Sequence, residues 1–299
     1  MSGTSEGGCC ANCGKESSDA VKLKNCNACR LVKYCSVDCQ KIHRKQHKVE
    51  CKKRAAELKD ERLYGQGHER PEGDFCPICT LPIPLPLENH AVFHACCVKK
   101  VCMGCAVAAS IRGMDDCPYC RTSVVGDEIA MAQKRVDAKD PAAMKFLGDQ
   151  YHRGGYGLKR DISRAIELWT EAGELGSIEA HYSIGHSYDS GVGVPQDKTK
   201  ALRHWEKAAI QGHANSRTSL GVSETNKGNY KRAVRHFLIA AKLGDGVALN
   251  HIKTLVVDGN ANIRYFAEAL KGYQESLGEA KSPERDEAMR MAARNYRRP

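Results

Sequence analysis

A chain of 299 residues with only 6% aromatics is longer than one small domain, and its composition excludes a single large aromatic-rich core. An alanine-rich helical build suits it better. A formal net charge of +10 invites a polyanionic partner, but that reading holds only if the cysteines are neutral thiols.

They are not expected to be neutral. All 16 cysteines lie between Cys9 and Cys120, mostly as C-x-x-C pairs, and the remaining 179 residues have none. Met1–Gly8 lacks the basic start and apolar stretch of a signal peptide, and the apolar run near Val101–Ala109 is too short to cross a bilayer. An intracellular protein, cytoplasmic or nuclear, is therefore expected, with thiols reduced and paired cysteines binding metal. Counting fifteen thiolates and four zinc ions brings the net charge down to about +3, which argues against nucleic acid. The basic run Lys41–Arg54 then reads as a solvated surface.

After a disordered start (1–9), the first ligand series is Cys10, Cys13, Cys26, Cys29, Cys35, Cys39, His47 and Cys51. Eight thiolate and imidazole donors suit two tetrahedral zinc sites. So short a segment cannot fold on buried surface alone, so metal binding supplies its folding energy. Ser36 caps a helix, and the i, i+4 spacings of Cys35 with Cys39 and of His47 with Cys51 put each pair on one face. His43 lies on the same row and competes with His47; Cys9 abuts Cys10 and competes with it.

Tyr34-Cys35-Ser36-x-x-Cys39-Gln40 followed by His47-Lys48-x-x-Cys51 resembles the MYND zinc finger, over residues 10–51. The resemblance implies interleaved sites: Cys10, Cys13, Cys35 and Cys39 on one zinc, and Cys26, Cys29, His47 and Cys51 on the other. It also implies binding of proline-containing peptides. Where many members carry Trp three residues before the ligand His, this chain has Arg44, a departure that bears on the peptide groove more than on the metal.

A polar linker (52–74), helical at first, is broken by Gly65, Gly67, Pro71 and Gly73. The second series follows: Cys76, Cys79, Cys96, Cys97, Cys102, Cys105, Cys117 and Cys120, with His94 as a rival for Cys96. Within it, Leu81–Leu87 alternates apolar residues with proline, as an extended loop does. Residues 75–122 resemble an all-cysteine RING finger. The resemblance implies that Cys76, Cys79, Cys102 and Cys105 share one zinc and Cys96, Cys97, Cys117 and Cys120 the other. It also implies that Ile78, Pro118 and Arg121 contact a ubiquitin-conjugating enzyme and hold its thioester in a reactive pose, with no covalent intermediate on this chain. The alternative for these residues is a mini-core contact for Ile78 and a solvated Arg121. The aromatic that many RING fingers carry after the sixth ligand is lacking in Ala106–Ala109.

A second linker (123–139) leads to repeats (140–277). Leu147-Gly148-x-x-Tyr151 recurs as Ile184-Gly185-x-x-Tyr188; Asp161, Ala165 and Trp169 recur as Asp197, Ala201 and Trp205; Leu220-Gly221, Ala233 and Phe237 mark a third unit. Each reads as helix, loop, helix, with Asp140-Pro141 as a start and Gly176, Gly212 and Gly244 as stops. Trp169, Trp205 and Phe237 read as buried between units. Residues 247–277 read as a degraded capping unit. The pattern resembles Sel-one-like repeats, which implies a concave protein-binding surface. Ser282-Pro283-Glu284 starts a last helix, ahead of a frayed tail, within residues 278–299.

The expected architecture is thus multi-domain: two small cross-braced zinc modules followed by an all-α solenoid of helix-turn-helix repeats. The leading expectation is a ubiquitin ligase that takes protein substrates through the finger and the solenoid. A non-catalytic zinc-dependent scaffold is the rival. A lysine methyltransferase is disfavoured, because repeats fill the chain after Cys120.

Overall fold

The computed structural model describes residues 8–123 and 126–295, with side chains to 291. The expected disordered start and frayed tail fall largely outside the described residues. Two compact units divide at Gly65 and Gln66.

The first unit has a small antiparallel ribbon, β1 (Lys24–Asn25) with β2 (Lys33–Tyr34), and one long helix, α1 (Val37–Gly65). Ser36 Oγ accepts from the Cys39 N–H at 3.2 Å, which satisfies a free donor of the first turn. The helix runs unbroken from Cys39 past Cys51 to Gly65, so the ligand helix and the helical part of the linker are one element. The interior consists of Cys10, Cys26, Cys29 and Tyr34.

The second unit opens with a 3-10 turn (Glu72–Asp74), then α2 (Leu87–His90), a hairpin of β3 (Ala91–His94) with β4 (Lys99–Cys102), and α3 (Met103–Ile111). Ile83, Val101, Cys76 and Cys102 form its small interior. The stretch expected as a linker at 123–139 contains α4 (Glu128–Asp137). Asp127 caps it and Ala132 and Val136 are buried, so it packs on the first repeat and is not a free tether.

The repeats follow as pairs: α5 (Pro141–Arg153) with α6 (Ile162–Glu174), α7 (Ile178–Ser190) with α8 (Lys198–Ala209), and α9 (Ala214–Asn226) with α10 (Tyr230–Lys242). Asp140, Asp161 and Asp197 cap α5, α6 and α8 through their carboxylates. Trp169, Trp205 and Phe237 are buried as expected, each lying over a glycine of the preceding helix. A Cβ at Gly148, Gly185 or Gly221 would sit 2.7, 2.4 or 2.4 Å from the ring, so the recurring glycine and aromatic are one packing device. A fourth pair, α11 (Gly246–Val257) and α12 (Ile263–Glu279), covers α10. The last helix, α13 (Pro283–Asn295), packs against α3 of the cysteine module. No helix among the described residues is long and apolar enough to cross a membrane.

Candidate metal centres

Four of the C-x-x-C pairs are built alike. In each, the carbonyl of the first cysteine accepts from the N–H four residues on: Gly14 to Cys10 at 2.9 Å, Arg30 to Cys26 at 2.9 Å, Thr80 to Cys76 at 2.8 Å and Arg121 to Cys117 at 2.9 Å. That fourth residue is left-handed each time, with φ of 74°, 59°, 59° and 62°. The turn points both sulfurs to one side. Only Gly14 adopts this region without steric cost, so the other three positions are held by their surroundings. Of the other pairs, Cys35 with Cys39 brackets the start of α1, His47 with Cys51 lies within it, Cys102 with Cys105 brackets the start of α3, and Cys96 with Cys97 lies in the turn between β3 and β4.

These elements converge into four quartets, in each of which the donor atoms lie within 4.8 Å of one another: Cys10, Cys13, Cys35 and Cys39; Cys26, Cys29, His47 and Cys51; Cys76, Cys79, Cys102 and Cys105; Cys96, Cys97, Cys117 and Cys120. The Cys26–Cys51, Cys79–Cys102 and Cys97–Cys117 sulfurs are each 3.8 Å apart, and Cys29 Sγ is 3.1 Å from His47 Nε2. An S···S edge of about 3.8 Å is that of a tetrahedron with metal–sulfur bonds of about 2.3 Å. Even the shorter contacts, 3.4–3.5 Å, are far from the S–S bond of about 2.05 Å, and all 16 cysteines are free.

Electrostatics points the same way. A hydrogen bond from the Cys102 thiol draws the Cys76 thiol down to about 4, and Cys102 is raised in return by its bond to Cys76. In the first module, the Cys35 N–H helps draw Cys10 down to about 6, whereas hydrogen bonding to Cys13 pushes Cys35 up to about 12. Packed thiols thus stabilise one anion at a neighbour's expense. A dication at the centre lets all four ionise, so the donor sets fit zinc.

The rivals are resolved by position. His43 Nδ1 bonds Tyr34 Oη at 3.1 Å and its ring stacks on His47, so it buttresses a quartet member and lies outside the quartet itself. Cys9 is exposed and outside the quartets, whereas Cys10 is buried inside one. His94 lies on β3 outside the quartet, and Cys96 Sγ is 3.4 Å from Cys120 Sγ; adjacent Cys96 and Cys97 both belong to the quartet.

Ile78 sits inside the Cys76–Cys79 turn, 41% exposed. Pro118 lies in the Cys117–Cys120 turn, half-buried, and neighbouring Tyr119 is 45% exposed. Arg121 is exposed and its guanidinium donates to Met114 Sδ. The three thus lie on two turns, Ile78 on that of one quartet and Pro118 with Arg121 on that of another. Among the buried arginine side chains, two that reach the second module carry no mark in the sequence: Arg70, paired with Asp74 at 3.6 Å and donating to the Ile83 carbonyl, and Arg285 on α13, which reaches Cys79. Neither lies in a ligand motif, so no local signal marks them.

The second module also touches the repeats. Phe93 on β3 stacks on Phe146 of α5 at 4.5 Å between ring centroids; Lys100 on β4 donates to Glu179 of α7 at 2.9 Å; and Arg217 of α9 donates to the carbonyl of Gln66, in the linker that leads into the module. The first helices of successive repeats therefore carry the chain's own cysteine module. This changes the expectation of an open binding surface along that row.

Residues 10–51 match the family model for the MYND finger, and residues 141–177, 178–213 and 220–245 match the model for the Sel1 repeat. The chain joins a MYND finger to Sel1 repeats. Among solved structures it is similar to a Sel1 repeat protein from Oxalobacter formigenes, at 27% identity and a TM-score of 0.43, over 51% of this chain and 66% of that one. It is also similar to c5321, a protective antigen of uropathogenic Escherichia coli displaying an SLR fold (20% identity, TM-score 0.43, 52% of this chain and 35% of that one). Cysteine rich protein B of Helicobacter pylori is a third (25% identity, TM-score 0.29, 30% of this chain and 66% of that one). The chain thus spans less than two thirds of each of these proteins. No curated protein matches it. The RING resemblance of residues 75–122 rests on residue spacing and on the quartets described above.

Proposed function

We propose that the protein is a zinc-dependent scaffold for protein–protein interaction that holds four zinc ions, two in the MYND finger and two in the second cysteine module. The observation that carries this reading is that each quartet already supplies four protein donors. A tetrahedral ion so held has no open position for water or substrate, so the metal shapes a surface and does not activate a reactant. A MYND finger and Sel1 repeats on one chain are both interaction modules, and the second module is mounted on the repeats between them.

The test is an array of proline-containing peptides probed with the full chain. Binding that disappears in Cys39→Ser or after chelation supports the reading. Peptide binding indifferent to both, or none at all, sinks it.

A second reading, RING-type ubiquitin ligase, is favoured by one observation. The quartets of residues 76–120 are cross-laced: the first and third pairs meet, and the second and fourth. That arrangement leaves Ile78 exposed on one turn and Arg121 exposed on another, with Pro118 half-buried beside it, and a ubiquitin-conjugating enzyme would dock on these three. Full-length protein with ubiquitin, activating enzyme and a panel of conjugating enzymes separates the readings. Chain formation lost in Ile78→Ala with Arg121→Ala supports ligase activity; no chains above that variant leaves the scaffold.

A further inference from the structure

Arg285 lies more than 160 residues beyond the last cysteine, yet it is 8% exposed and its guanidinium is inside the second cysteine module. Nη1 donates to the Ala280 carbonyl at 2.6 Å and to the Pro82 carbonyl. Nη2 donates to the Leu81 carbonyl at 3.2 Å and points at Cys79 Sγ at 3.5 Å. The approach is prepared on both sides. Ser282 Oγ accepts from the Arg285 N–H at 3.2 Å, which starts α13 three residues before the arginine. Across the contact stands Gly104 of α3, where a Cβ would meet the backbone and Cγ of Arg285 at 2.8–2.9 Å. Ala288, one turn on, is 1% exposed, so a small residue continues the close contact.

A buried guanidinium needs a counter-charge. Among the described residues no carboxylate lies within ion-pair distance of Arg285; its charged neighbours are the cysteines Cys79 and Cys102. The anion it does face is the quartet Cys76, Cys79, Cys102 and Cys105, which as four thiolates around one dication carries a net charge of about −2. We infer that Arg285 is an outer hydrogen-bond donor to the metal-bound Cys79 thiolate, so that the C-terminal helix helps hold the first metal of the second module. This rests on the zinc reading of residues 76–120 and is independent of ubiquitin transfer. The same arginine ties the two carbonyls that follow Cys79 in the chain, at Leu81 and Pro82, so it fixes the ligand loop as well as its charge. Outer-sphere donors of this kind typically change metal affinity by about 10- to 100-fold.

The experiment uses the full chain loaded with zinc, or with cadmium-113 for NMR. Arg285→Gln should give up one ion of four to a chromogenic chelator at a concentration about 10- to 100-fold lower than wild type requires. Arg290→Gln, on the exposed side of the same helix, should behave as wild type. Arg285→Lys keeps the charge and the apolar stem but loses the planar fork; it should shift one all-cysteine cadmium resonance and leave the other three in place. That resonance reports on the thiolate itself, which a merely structural role in seating α13 would not move while amide exchange shows the helix still docked. Unchanged chelator competition and an unmoved resonance in both Arg285 variants overturn the inference alone. A wild-type chain that carries only two ions overturns it together with the zinc reading of residues 76–120.

Discussion

The MYND finger and the Sel1 repeats make their interiors from different materials. In the finger, the buried cluster is Cys10, Cys26, Cys29 and Tyr34: three of its four members belong to the donor quartets. In the repeats it is Ala143, Met144, Leu147, Ala165, Leu168 and Trp169, and again Ala233, Phe237, Ala240 and Ile252 further on. One interior is lined with donors for a cation, the other with apolar surface removed from water. The second cysteine module stands between the two. It has the donor quartets of a finger, but it also leans on the repeats through Phe93 and Lys100 and receives Arg285 from the last helix, α13.

The largest effect should come from removing metal. With a strong chelator, amide protection over residues 10–51 should vanish, while α5 to α12 keep theirs, as followed by hydrogen exchange. Helices that melt along with the finger would break the contrast between the two interiors. Next in size, Trp205→Ala should destabilise the repeats by about 3–5 kcal/mol in thermal or denaturant unfolding, because it empties the space over Gly185. Native mass spectrometry should show its metal content unchanged; lost zinc would mean that the interiors are not separate.

The smallest effect tests the seam. Burial alone would raise the Glu179 carboxyl, but the Lys100 ammonium beside it draws it down to about 2. A carboxyl whose folded value is depressed adds stability above its unfolded value, about 4.5, and that stability is lost as pH falls towards about 2. Lys100→Met should therefore cost up to about 1 kcal/mol near neutral pH, since both groups are partly solvated. The gap from wild type should close as the medium is acidified through that window. A gap of constant size would assign the loss to packing of the lysine stem.

Much of this was legible along the chain because the signals are local. A C-x-x-C pair is a turn that aims two sulfurs, so spacing alone points to the donors; the Trp169, Trp205 and Phe237 period marks the repeats for the same reason. The choice among rivals was less legible. His43 and His47 share one helical row, and only the ring stack and the bond to Tyr34 assign His43 its supporting part. Adjacent Cys96 and Cys97 defy the usual ligand spacing, and the hairpin return of β3 into β4 lets both face one centre. Helix α4 was hidden inside an expected linker, since ten residues with a cap at Asp127 carry a weak pattern until α5 lies beside them.

The sequence by itself determined what the modules are: metal donors at fixed spacings and a helical repeat whose apolar positions recur, both written within one or two turns of chain. Tertiary structure alone decided where they meet. Arg285 beside Cys79, Phe93 on Phe146 and Gln66 under Arg217 join residues 53 to 206 positions apart. Such contacts obey no period, because what selects them is the shape and charge of two surfaces that exist only once each part has folded.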